Sequence, residues 1–151
     1  MSASAQPAAL KIGEVAKRSG VGVETLRFYE SRGLITPISR TQAGYRLYDS
    51  SVFDRLVFIK KAQLVGFSLD EIARIIDESA DGSRPCAEVR RLAAEKLADL
   101  ERKIDELVRY RDELRETVET WNRQRSKRGH VCGLIEGLGP DHLHPPKRGA
   151  V

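Results

Sequence analysis

Residues 12–35 read IGEVAKRSGVGVETLRFYESRGLI, and this stretch decides the architecture of the first half of the chain. Ile12, Val15 and Ala16 fall at helical spacing, so a short helix is expected there. Ser19-Gly20-Val21-Gly22 interrupts it, because glycines accept the backbone angles of a turn and weaken a continuing helix. A helical pattern resumes from Val23 to Ser31, with Leu26 in register with Val23 and Glu30, and Gly33 ends it. The spacing predicts helix, tight turn, helix, with Thr25, Arg27 and Tyr29 at exposed positions of the second helix.

Further along, RTQAGYRLY (40–48) places turn residues around Gly44 and follows them with Tyr45, Arg46, Leu47 and Tyr48, which reads as a short β-hairpin. Asp49 or Ser50 can then cap a helix carrying Val52, Leu56, Ile59 and Lys60. A second unit of the same kind follows. Gly66-Phe67-Ser68 makes the turn, Ser68 and Glu71 form a capping box, and Ile72, Ile75 and Ile76 supply the apolar face.

From Cys86 to Asn122 there is neither glycine nor proline, and the apolar residues keep a heptad. Leu97, Ile104, Arg111 and Val118 occupy the a positions; Ala93, Leu100, Leu107, Leu114 and Trp121 occupy the d positions. Arg111 alone breaks the seam. At ~1.5 Å per residue such a helix runs on the order of 55 Å, too far for the first half of the chain to cover. Its stripe is expected to be buried by a second copy or another partner. Beyond it come a basic run, RQRSKR (123–128), a segment with His130 and Cys132, and a polar tail from Pro140 with His142 and His144.

The chain has 151 residues, 26 of them Lys or Arg and 22 Asp or Glu. Residues 1–70 hold ten basic and six acidic side chains, so the net positive charge sits entirely in the first half, as a polyanion partner would require. No apolar run approaches the ~18 residues of a membrane span, and MSASAQPAAL lacks the charge and apolar core of a secretory signal. The expectation is a soluble cytoplasmic protein with no membrane partner. Two cysteines cannot build a disulfide framework, which leaves buried thiols, metal ligands or redox groups. A Gly-rich phosphate loop, an HExxH and a nucleophile with a recognisable base are all missing, which argues against an enzyme.

Together these pieces resemble the MerR family of bacterial transcription regulators. Residues 12–35 look like its winged helix-turn-helix opening, GYRLYD (44–49) like its wing, and GFSLDEI (66–72) like its second helix-turn-helix. The resemblance spans roughly residues 10–138. It implies a mainly α fold: a winged helix-turn-helix DNA-binding domain at 10–82, an antiparallel coiled-coil dimerisation helix at 83–122, and a short effector loop and helix at 123–138. Disordered or flexible tails would occupy 1–9 and 139–151. A recognition helix needs side chains that reach base edges or phosphates, and a wing needs phosphate or minor-groove contacts. Thr25, Arg27 and Tyr29 suit the first role, with Arg27 foremost; Tyr45, Arg46 and Tyr48 suit the second, although the tyrosines could instead pack with Phe28 and Phe53. Lys60 matches a family phosphate contact. The resemblance further implies a homodimer on double-stranded promoter DNA, acting with RNA polymerase at a promoter with an overlong spacer. Effector binding would untwist the DNA and turn repression into activation.

The effector is expected to be a metal ion, since only a short segment follows the long helix and drug-sensing branches carry a larger ligand domain. In an antiparallel dimer Cys86 of one subunit approaches Cys132 of the other, as in the family's metal sensors. Cys86 matches a position that is Cys in divalent-ion sensors and Ser in sensors of monovalent copper, silver and gold. The usual further cysteine near 122–124 is replaced by Asn122, Arg123 and Gln124, leaving His130 as the nearest third ligand. Thiolates with imidazole suit divalent zinc, cadmium or mercury. An alternative keeps the fold and makes the thiols redox or electrophile sensors, with the basic run activating Cys132. An iron–sulfur cluster would need four closely spaced cysteines. A third reading is a coiled-coil interaction protein that docks a protein partner.

Overall fold

Short helices stopped by glycines, a three-stranded sheet and one long helix make up the computed structural model, which describes residues 8–147. Residues 1–7 of the expected N-terminal tail and 148–151 of the expected C-terminal tail lie outside the described residues. The chain divides into two units, one ending at Ala94 and one beginning at Glu95.

In the first unit, β1 (Leu10–Lys11) leads directly into α1 (Ile12–Ser19). Gly20 ends α1 in the left-handed region, φ 74°, and its N–H donates to Ala16 O at 3.0 Å. That conformation strains any residue with a Cβ, so the glycine is what allows the tight turn into α2 (Val23–Ser31). This is the expected helix-turn-helix. The expected hairpin follows as β2 (Ser39–Arg40) and β3 (Arg46–Tyr48), paired Ser39 with Leu47 and Arg40 with Arg46. Thr41 organises its turn: Thr41 N–H donates to Tyr45 O at 2.8 Å, and Thr41 Oγ1 accepts from Tyr45 N–H at 3.1 Å. The sheet has a third strand that two residues of sequence cannot announce. β1 pairs antiparallel with β3, Leu10 opposite Tyr48 and Lys11 opposite Leu47, which makes β3 the central strand.

The helix after the wing, α3 (Ser51–Val65), begins on an Asx turn in which Asp49 Oδ1 accepts from Ser51 N–H at 2.9 Å. Ser50 holds the N-cap position without a side-chain bond, so Asp49 supplies the acceptor. Gly66 ends α3 at φ 100°. α4 (Leu69–Ala80) then starts on the expected capping box: Ser68 Oγ accepts from Glu71 N–H at 3.2 Å, and Glu71 Oε2 accepts from Ser68 N–H at 2.8 Å.

Apolar side chains from all these elements meet in one cluster that includes Val15, Leu26, Leu34, Ile35, Leu56, Ile59 and Ile72, with Tyr48 wholly enclosed. Each such aliphatic burial contributes roughly 1.5–3 kcal/mol before chain entropy is counted. α5 (Cys86–Arg123) joins this core through Leu92, with Val89 and Ala93 beside it.

The second unit holds the rest of α5 and a one-turn helix, α6 (Gly133–Glu136). α5 runs 38 residues, matching the glycine- and proline-free stretch. Its seam is uncovered: Leu97, Leu100, Ile104, Leu107, Leu114 and Val118 are between 38% and 57% exposed. Arg111 lies against neighbouring Asp112 at 2.8 Å.

Ser68→Ala removes the acceptor that starts α4 and is expected to destabilise the fold by about 1 kcal/mol. Urea denaturation of the variant beside the native protein checks this; an unchanged midpoint would show that Ser68 does not cap α4.

Candidate nucleic-acid interface and effector loop

Helical period sets what α2 shows to solvent. Leu26 is wholly buried, so Thr25 and Arg27 on either side of it are exposed, Arg27 with only a loose 3.5 Å contact to Glu24 one turn back. Tyr29 is half-buried against the core. It lines a groove of about 800 Å³ together with Arg18, Phe53 and Lys60, and Arg18 lies over the Phe53 ring at 4.5 Å. The groove thus brings Lys60, on α3, beside the turn between α1 and α2.

The wing presents Tyr45, 63% exposed, with Lys11 Nζ 5.7 Å from its ring centroid. Arg46 and Tyr48 are two apart on β3 and so share a face, and both are held by one carboxylate of α2. Arg46 Nε donates to Glu30 Oε1 at 2.5 Å, and the Tyr48 hydroxyl donates to Glu30 Oε2 at 2.6 Å. Burial alone would raise the Glu30 carboxyl, but the bonds from Tyr48 and Arg46 outweigh it and hold the group below the usual carboxylate range. Burial, with Glu30 beside it, pushes the Tyr48 phenol up.

Tyr48, expected on the DNA side, is corrected here. Its side chain has no exposed surface and belongs to the core cluster, with Leu10 of β1 opposite it in the ladder. It packs in the core cluster, against which Phe53 is partly buried, whereas Phe28, the other expected packing partner, is exposed. Three residues beside the expected ones carried no distinguishing sequence signal: Lys11 and Arg18 entered only as part of the basic excess, and Glu30 reaches the wing through a contact no local pattern encodes.

Among the effector candidates, Cys86 is the first residue of α5 and exposed, and it lines a groove of about 900 Å³ with Arg55, Phe58, Pro85 and Val89. Cys132 is half-buried at the N-cap position of α6, and both thiols are free. His130 is exposed. The loop between them closes on one carboxylate: Glu136 accepts N–H bonds from His130 at 2.9 Å, Val131 at 2.7 Å and Cys132 at 3.3 Å. Those bonds, the one from Val131 foremost, keep the Glu136 carboxyl low. A side chain at Gly129 would collide with that carboxylate. In the tail, His144 is engaged with Glu113, donating its N–H at 2.7 Å with its ring Nδ1 at 3.0 Å. Among the described residues of one chain, no three His, Cys, Asp or Glu side chains gather as a metal site.

A helix-turn-helix with a strand-built wing, exposed cationic and aromatic side chains on both, and a long heptad helix following in the chain define a DNA-binding transcription regulator of the winged-helix class. The chain belongs to the MerR family. The family model for MerR HTH regulatory proteins matches residues 10–79, and that for MerR DNA binding matches 53–117. Over 110 residues it is 41% identical to an uncharacterised HTH-type transcriptional regulator of Pseudomonas aeruginosa, covering 73% of this chain and 83% of that protein. The mercuric resistance operon regulatory protein of Bacillus cereus is 37% identical over 128 residues, 85% of this chain and 96% of that protein. Among solved structures, the transcription regulator PbrR691 of Ralstonia metallidurans CH34 in complex with lead(II) superposes with a TM-score of 0.69 at 30% identity, over 86% of this chain and 99% of that one.

Arg27→Ala is expected to weaken operator binding by about 1–3 kcal/mol. Tyr48→Phe should lower fold stability by about 1 kcal/mol and weaken operator binding by less than Arg27→Ala does, since the Tyr48 side chain is itself enclosed. Fluorescence anisotropy and thermal melting read the two effects separately; a large affinity loss in Tyr48→Phe would return that residue to the interface.

Proposed function

We propose that this chain is a metal-responsive transcription regulator. It binds double-stranded promoter DNA as a homodimer and, with RNA polymerase at the promoter, switches from repression to activation when a divalent ion binds and the operator is distorted. Its place is the cytoplasm; no helix among the described residues is long and apolar enough to cross a membrane. Thr25, Arg27, Tyr29, Tyr45, Arg46 and Lys60 contact the DNA. The uncovered seam from Leu97 to Val118 supports pairing of α5 with a second copy, antiparallel.

The observation that carries the effector reading is the placement of two free thiols at the two ends of one long helix, Cys86 as its first residue and Cys132 beyond its last. In an antiparallel pair the start of one helix meets the end of the other. Cys86 of one protomer then joins Cys132 and His130 of its partner. Two thiolates and an imidazole suit a four-coordinate zinc-like ion, zinc, cadmium or mercury. The mercuric regulator and the lead(II) complex among the relatives support the same class. A thiol redox or electrophile sensor is the second reading, favoured by the free, exposed Cys86.

Metal content and competitive affinity of the anaerobically reduced protein for zinc, cadmium and mercury test this, beside Cys86→Ser and Cys132→Ser. Tight stoichiometric binding lost in both variants is the expected result. Absence of binding by the native protein, with disulfide or adduct formation altering promoter transcription instead, would replace it with the redox reading.

A further inference from the structure

Glu30 is an acidic side chain on the helix proposed to read DNA, and a bare carboxylate there repels phosphate. Its geometry gives it another task. It sits in the last turn of α2, its side chain is 16% exposed, and its two oxygens are divided between two residues of the wing strand. Oε2 takes the hydroxyl of Tyr48, which is anchored in the core; Oε1 takes Nε of Arg46, which is 39% exposed. The pair uses Nε, so the Nη groups of this partly exposed guanidinium are not taken up by it.

We propose that Glu30 is a positioning residue for DNA recognition: it ties the wing to the recognition helix and aims the outer edge of Arg46 at the phosphate backbone. The inference rests on the proposed wing contact of Arg46. Tyr48 makes the arrangement stiff, since a carboxylate clamped on one side by a buried phenol cannot follow a wandering arginine. A surface ion pair alone is too weak to do this. The two DNA-contacting elements of the domain then move as one body, and the arginine loses its conformational freedom before DNA arrives.

The sign of one substitution separates this role from simple electrostatics. Removing a negative charge near phosphate strengthens DNA binding by charge alone; removing a positioning group weakens it. The full-length protein is tested on the operator that the native protein selects from a random duplex pool, with Glu30→Gln, Arg46→Gln and the double variant. Glutamine keeps an acceptor for Tyr48, and Glu30→Gln with Tyr48→Phe removes the hydroxyl's need for a partner should Glu30→Gln fold poorly. Expected is about tenfold weaker binding in Glu30→Gln. The slope of log affinity against log salt should fall by about 1 in both single variants, as for one lost phosphate contact, with little further loss in the double. Unchanged or tighter binding in Glu30→Gln while Arg46→Gln weakens it would overturn the inference and leave the wing contact standing. No effect of Arg46→Gln would overturn the wing contact and the inference with it. Additive losses with an unchanged salt slope in Glu30→Gln would mark a merely structural residue and overturn the inference.

Discussion

One enclosed side chain organises the first unit: Tyr48, at the centre of the sheet, with no surface left to solvent. A phenol can be buried only if its hydroxyl finds an acceptor. Glu30 supplies it from α2, while Leu10 stands opposite it on β1. The sheet, the second helix and the wing are therefore fixed relative to one another by a single polar requirement inside an apolar cluster. Its neighbours in that cluster, Leu26 from α2 and Val52 from α3, extend the same constraint to the helices on either side.

The elements that sequence announces are those with a period or a stop of their own. Gly20 and Gly66 end helices where expected because the left-handed turn needs no distant partner. The Ser68 and Glu71 box closes over three residues, and α5 runs unbroken because nothing between Cys86 and Arg123 breaks it. What escaped is non-local. β1 is two residues long and is defined by its ladder with β3, and the burial of Tyr48 depends on a cluster assembled from elements distant in sequence. The choice of Asp49 over Ser50 at the start of α3, which the sequence leaves open, is by contrast local, a bond to Ser51 two residues on. The exposure of Thr25 and Arg27 followed from α2's period, whereas the grip of Glu136 on 130–132 and of Glu113 on His144 depends on loops folding back.

The two halves of the chain solve different burial problems. The first encloses its apolar residues within itself. The second holds a helix whose leucines are about half-exposed and whose single buried polar side chain, Thr117, turns its hydroxyl onto the carbonyl of Glu113. A helix of this length with an uncovered heptad stripe is incomplete as a lone element, and the free energy of covering it becomes the free energy of association. In the antiparallel pair proposed above, groups at the two ends of this helix would be coupled to assembly.

Two arginines, one on α2 and one on the wing, illustrate how the same charge is put to different use. Arg27 leans on Glu24 at 3.5 Å with both groups largely in water, a contact worth at most ~1 kcal/mol. It can be exchanged for a base edge or a phosphate at little cost. Arg46 is held at 2.5 Å by a carboxylate that is itself mostly covered and shared with Tyr48, so exchanging that partner would leave a half-buried carboxylate and a buried hydroxyl unpaired. The first arginine is free to search, while the second is set in advance. The recognition helix thus keeps an arginine that can change partners, while the wing carries one whose place is set by the fold.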